Sequence, residues 1–232
     1  MKISNSQIRA RARHLLDDNI LGNDWSKAVI IYFLQYLIVG AFGGLLGYFS
    51  NTYIIPYLIV QVGDVSKILL YGIPVFIYLI DVIVVYILAG PLEVGLCSVH
   101  LDLVRDNEKV KIRKFFKGFT KFGSNVVLGI MYVMVISLWS LVFIIPGIVA
   151  AYTYSMVFYI KNDHPEYNWR MCFDESQRIM SGNKFRLFRL QMSFIGWSFL
   201  ALIVCPGIGQ LWVSAYQQTS TAVFYQKIKQ AK

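Results

Sequence analysis

Charge is scarce in this chain, and acid is scarcer than base. Only 15% of the 232 residues are Asp, Glu, Lys or Arg, where a soluble domain carries about a quarter. That shortage argues against an ordinary water-soluble globule. Cysteine is limited to Cys97, Cys172 and Cys205, with neither paired nor CxxC spacing. A disulfide framework and a cysteine-based metal pair are therefore excluded. Catalytic signatures are missing too: the chain holds no HExxH, GxSxG, Walker loop or dinucleotide fingerprint. A cleavable secretory signal is not expected. Basic and polar residues run to Lys27, and the apolar stretch that follows is full-length, without a clear small-residue cleavage site. The net charge of +9 comes with no nucleic-acid motif.

What is abundant is apolar: 56% of the residues are hydrophobic and 16% aromatic, enough for interface belts as well as packing. The pattern predicts an all-α polytopic membrane protein with about six transmembrane helices. The expected spans are 25–48, a long second helix over 67–104, 123–145, 148–160, 185–204 and 208–226. A span needs about 20 apolar residues to cross a hydrocarbon core of about 30 Å. The second helix is about 38 residues at 1.5 Å each, far more than one crossing needs. It reads as a kinked helix that leaves the membrane and continues into the inner layer; the alternative makes Gly90–Pro91 a turn between two short spans. Ser50–Lys67, with Pro56, reads as an outer connection lying on the interface or capping the bundle.

All but one of the 22 Lys and Arg then lie in or beside segments of a single side; Lys67 is the exception. Lys and Arg flanking spans favour the cytoplasmic face, so both termini are expected there. Attraction to an anionic inner leaflet accounts for the basic excess.

The spans pair into three helical hairpins, each preceded by an amphipathic interfacial helix, within a single integral membrane domain, 1–232. Its parts are 1–24, the first hairpin 25–104, a second unit 105–161 and a third 162–232. Pro146–Gly147 and Pro206–Gly207, 60 positions apart, make the outer turns of the second and third units. Ser4 and Gln7 form a capping box ahead of Ile8, Ala12, Leu15 and Leu16, which share one face. That helix lies either in the headgroup region or against its own protein. Ile112, Phe115, Phe116 and Phe119 form an i, i+3, i+4, i+7 stripe in the second element. Trp169, Phe173, Ser176 and Met180 share a face of the third. There Asp174 and Arg178 make an i,i+4 pair, and Gly182–Asn183 supplies a stop.

Several segments resemble a known family. They are Gly90-Pro91-Leu92, the Pro146–Gly147 turn with Ala151-Tyr152-Thr153-Tyr154-Ser155-Met156, and Ser181-Gly182-Asn183-Lys184. Arg186-Leu187-Phe188, Phe194-Ile195-Gly196-Trp197 and the opening Ile8-Arg9-Ala10-Arg11-Ala12-Arg13 continue the likeness. Together they resemble the bacterial integral membrane family catalogued as domain of unknown function 975, in order and over nearly the whole chain. Cys205 before Pro206 departs from the Gly-type turn expected of it. The resemblance implies a polytopic bacterial membrane protein, of a Gram-positive organism, and no assigned activity or catalytic residues.

Asp81 is the first candidate for chemistry, because a carboxylate among apolar residues of a span costs about 2.5–3.5 kcal/mol on insertion scales. It is expected protonated, or bonded to Gln35, Tyr78 or Ser137, and either serves a proton-coupled step or ties two helices together. Glu93 and His100, seven residues apart, share one face, with Asp102 beyond. These two or three are too few for a metal centre unless folding recruits His14 and His164 from the same membrane side, so no metal or other cofactor is expected. Arg9, Arg13, Lys111, Arg113, Lys114 and Lys117 are candidate contacts for anionic lipid headgroups or plain topological anchors. Gly40, Gly43, Gly44 and Gly47 give two overlapping GxxxG spacings, suited to close approach of another helix of this chain, a second copy or a membrane-protein partner. These features suit a non-enzymatic accessory, scaffold or lipid-contacting protein of the bacterial cytoplasmic membrane. The alternatives are a small permease or proton-linked transporter using Asp81 and, more remotely, an intramembrane enzyme.

Overall fold

The computed structural model describes residues 4–16, 23–49, 52, 56, 67–106, 110–205 and 207–230. Among them every regular element is helical: α1 (Asn5–Leu15), α2 (Asn23–Phe49), α3 (Lys67–Asp106), α4 (Ile112–Phe115) with a 3-10 turn (Phe116–Phe119), α5 (Phe122–Val142), α6 (Ile144–Thr153), α7 (Val157–Asp163), α8 (Trp169–Met180), α9 (Lys184–Met192), α10 (Ile195–Val204) and α11 (Ile208–Gln230). Four stretches of the described residues are long and apolar enough to cross a membrane: Val75–Arg105, Phe122–Val142, Ile144–Asp163 and Lys184–Val204. The interfacial placement expected of the Ser50–Lys67 connection falls outside the described residues, apart from its two described positions and Lys67.

The long second helix is continuous. Both Pro74 and Pro91 lie inside α3, so Gly90–Pro91 is not a turn. Its basic end sits in a packed layer with Leu92, Leu101, Phe115, Met156, Tyr159, Met180, Leu187 and Phe224, all at most 2% exposed. The opposite halves of the apolar helices expose Phe76, Ile83, Leu138, Leu141, Ile144, Phe199 and Ile203. Lipid tails are as apolar as leucine, so such a surface needs no covering helix in a bilayer.

Glycine sets how α3 packs. A Cβ on Gly90 would strike the Asn125 carbonyl and approach Gly129; one on Gly95 would strike the Phe115 carbonyl, and one on Gly118 the Pro91 carbonyl. These contacts run in opposite senses along the chain, so α3 and the α4–α5 segment are antiparallel. Asn125 locks the turn by donating from Nδ2 to the Gly118 carbonyl at 2.6 Å. By contrast, an added Cβ on Gly40 or Gly44 meets nothing within 4 Å among the described residues. The expected approach of another helix of this chain is therefore not found at those two. The surroundings of Gly43 and Gly47 are not among those described.

The N-terminal capping box forms as expected, with Gln7 N donating to Ser4 Oγ at 3.3 Å and Ser4 N to Gln7 Oε1 at 3.0 Å. Ile8, Ala12, Leu15 and Leu16 are buried, chiefly against α11. The helix thus caps its own protein, and the Tyr216 hydroxyl donates to the Arg9 carbonyl at 3.0 Å.

The second amphipathic element differs from expectation. It is one α turn followed by a 3-10 turn, with only Phe115 of the stripe fully buried; Ile112 and Phe116 stay exposed. Packing Phe115 and Gly118 onto the α3 backbone selects an i, i+3 face, which 3.0 residues per turn serves better than 3.6. The third element, α8, does bury Phe173, Ser176 and Met180, and Asn168 caps it by accepting from Met171 N at 2.9 Å. Arg178, however, pairs with Glu175 one turn away at 2.6 Å rather than with Asp174. Gly182 ends the segment at φ +77°, a conformation that favours glycine.

The chain turns between α5 and α6 at the extended Phe143, and Pro146 sits in the first turn of α6, where a missing N–H costs no helical bond. Gly147 lets that turn press on Ser140. The expected uninterrupted fourth and fifth spans are each broken. Between α6 and α7, Tyr154, Ser155 and Met156 leave the helix, and Val157 N reaches back only to the Tyr154 carbonyl, at 3.2 Å. The Thr153 carbonyl, freed by the break, accepts from Ser176 Oγ of α8 at 2.8 Å. Between α9 and α10, Ser193 and Phe194 tighten to i−3 bonds at 3.2 and 3.0 Å.

Candidate functional site

A cavity of about 300 Å³ with a mixed polar and apolar lining lies where these features meet. Every one of the four apolar stretches lines it: Glu93 and Cys97 from α3, Gly129 and Tyr132 from α5, Ser155 and Tyr159 from the broken α6–α7 stretch, and Gln191 from α9; α11 adds Gln218 and Thr221. Counted at 1.5 Å per residue, these positions lie about 6–20 Å in from the basic helix ends. Gly90 and Gly129 also line the cavity, so a close approach of two helices forms part of its wall.

Glu93 is its one carboxylic acid. It is half-buried, and the Gln35 side chain hydrogen-bonds to it. Cys97, Tyr132 and Tyr159 line the cavity beside it. Gln218 Nε2 lies 3.6 Å from Cys97 Sγ, and the Tyr159 hydroxyl donates to the Gln218 carbonyl at 3.4 Å. Tyr132 meets Phe158 edge-on with ring centroids 5.0 Å apart, and Tyr159 stacks on Tyr225 at 5.3 Å.

Asp81 is not part of this arrangement. It lies 12 residues, about 18 Å, along α3 from Glu93 towards the exposed half. It is half-buried, and its Oδ1 is enclosed without a hydrogen-bond partner. Of the expected partners, Gln35 is engaged with Glu93, Tyr78 is 66% exposed and Ser137 is exposed.

His100 shares the face of Glu93 but lies two turns nearer the basic end, outside the cavity. Thr219 donates its hydroxyl to the Ala215 carbonyl at 2.9 Å, so its oxygen accepts from His100 Nδ1 at 2.9 Å, placing a ring proton on Nδ1. Asp102 pairs with Lys114 at 2.7 Å. Among the described residues no three His, Cys, Asp or Glu converge as a metal would require. Of the candidate headgroup contacts, Arg13 lies over the Tyr216 ring at 5.9 Å, while Lys111, Arg113 and Lys117 are exposed at the surface.

Two groups carry no sequence signal of their own. Asp163, at the end of α7, gathers Arg105 (2.6 Å), Lys229 (2.6 Å) and the Tyr225 hydroxyl (2.7 Å). It thereby ties the basic ends of α3, α7 and α11. Lys161 is buried and donates to Ser124 Oγ at 2.8 Å, to the Pro165 carbonyl at 3.1 Å and to the Tyr167 carbonyl. Neither shows in a one-dimensional pattern because the partners lie far apart in the chain or on loop backbone.

A family model described as "Protein of unknown function (DUF975)" matches residues 1–152 and 141–232. No curated protein and no solved structure matches.

Proposed function

Because the chain belongs to this DUF975 family, whose description assigns no activity, we propose its function from the cavity: a non-enzymatic multi-pass membrane protein that admits and passes a small polar solute. The observation that carries the reading is the chamber around Glu93, with polar side chains in its lining, flanked by two helix breaks inside apolar stretches. Irregular backbone at membrane depth is tolerated where it lines a cavity, and broken helices at a midplane site are a recurrent way to build a solute path. Glu93 takes the role that sequence reasoning gave to Asp81. The four described stretches are joined by α2 and α11 to make six crossings. The basic ends and both termini face the cytoplasm of a bacterial cell, as the distribution of Lys and Arg favours.

Cys97 provides the test. In a Cys172→Ala, Cys205→Ala background it is the one thiol, and it lines the chamber. Methyl methanethiosulfonate, small and neutral, is applied to inside-out and right-side-out vesicles, with Cys97 modification read by mass spectrometry. A proteoliposome preparation scrubbed of free reagent on one side controls for reagent crossing the lipid. Modification from both sides, faster from the cytoplasmic face, is expected. Reaction from one side alone or from neither overturns the proposed path. Ser155→Cys in place of Cys97 gives a second reporter on the same wall.

A further inference from the structure

The lining of the chamber is lopsided in charge. It holds one carboxylic acid, Glu93, and no lysine, arginine or histidine among the described residues. The basic side chains of neighbouring elements are engaged elsewhere: Lys161 in its cradle of carbonyls, Arg105 on Asp163, Arg186 over the Phe224 ring at 5.8 Å. Gln35 supplies Glu93 with a hydrogen bond but no counter-charge. Ionising a carboxyl in an apolar bundle is costly without a counter-charge, and an entering cation relieves that cost. The remaining wall suits the same guest. Tyr132, Phe158 and Tyr159 contribute aromatic side chains to the lining, and aromatic faces attract cations within about 6 Å. Ser155, Gln191, Gln218 and Thr221 offer oxygen atoms that can accept from N–H groups. An anion would meet the carboxylate with no base to receive it. At about 300 Å³ the space is at the small end of ligand pockets, which run about 300–1,000 Å³.

Resting on the chamber being open to solutes, we propose that its ligand is a small monovalent organic cation, an amine or quaternary ammonium, with Glu93 as counter-charge and the Tyr132 and Tyr159 rings as walls.

The experiment compares three thiol reagents on the Cys97-only protein in inside-out vesicles: cationic 2-aminoethyl, neutral methyl and anionic 2-sulfonatoethyl methanethiosulfonate. Each rate is divided by the rate of that reagent with free 2-mercaptoethanol, so that intrinsic reactivity cancels. The cationic reagent is expected to react at least about tenfold faster than the anionic one, since a focused field concentrates counter-ions by that order. Glu93→Gln should bring the two rates together. Tetramethylammonium should slow modification of the unmutated chamber, whereas the neutral isostere tert-butanol should not; this arm needs no substitution at Glu93. Equal normalised rates, with no protection by tetramethylammonium, overturn the cation assignment while leaving an open chamber. Failure of all three reagents at both Cys97 and Ser155→Cys overturns the chamber itself.

Discussion

Gly90 of α3 and Gly129 of α5 meet backbone to backbone, with no room for a methyl group on either. Both also line the chamber around Glu93, so one contact sets the helix spacing and a wall of the site. Gly90→Ala and Gly129→Ala should each lower stability by about 1–3 kcal/mol, the usual cost of overpacking. Gly40→Ala, where a Cβ meets nothing, should leave the monomer unchanged. Thermal unfolding of the purified protein in detergent separates the two classes, and a Gly129→Ala protein as stable as the parent would contradict the contact.

Asp163 serves three partners with one carboxylate whose side chain is 3% exposed. Asp163→Ala leaves Tyr225 and two cations without it. Arg105 and Lys229 are 30% and 41% exposed, so water recovers part of the loss. A destabilisation of about 2–3 kcal/mol is expected, below the full cost of breaking a buried pair. Lys229→Met should cost less than about 1 kcal/mol, because Arg105 and Tyr225 remain on the carboxylate. The ordering of the two melting midpoints is the measurement.

Lys161 holds the loop after α7 through the Pro165 and Tyr167 carbonyls, and Lys121 adds a bond to Pro165 at 3.1 Å. Lys161→Met keeps the length of the side chain and removes its donors. Cleavage by chymotrypsin at Tyr167 is expected to become several-fold faster, without a comparable change at other sites. An unaltered cleavage pattern would mean that the ammonium does not hold the loop.

The three native cysteines report the orientation. Cys205 is exposed at the turn before α11, whereas Cys97 and Cys172 are buried. Burial pushes the Cys172 thiol up to about 11, so below that pH it is mostly the unreactive thiol rather than the thiolate. A bulky membrane-impermeant maleimide at pH 7.5 should therefore label the intact cell once, at Cys205. Labelling of Cys205 in inside-out vesicles but not in cells would reverse the threading.

Chain order, helical content and apolar length were legible in the sequence because they depend on local pattern. The capping box at Ser4 and Gln7, the α8 face through Phe173, Ser176 and Met180 and the stop at Gly182 follow from spacing within one element, whereas Gly90–Pro91 left a helix or a turn open until α3 proved continuous. Glu93, Gln35 and His100 could be flagged as polar residues in apolar surroundings. Their roles could not be assigned, because a helix face says nothing about what opposes it. Only the tertiary structure put Gln35 on Glu93 rather than Asp81 and set His100 against Thr219. It also brought Gly90 against Gly129, a close approach that no spacing in the sequence marked. The breaks at Tyr154–Met156 and Ser193–Phe194 have the same origin. Neither is marked by proline or glycine, and at the first a freed carbonyl finds Ser176 from another helix. Local hydrogen bonding and hydrophobic period are properties of a segment, whereas a cavity and a carboxylate's partners are properties of the surfaces brought together around it.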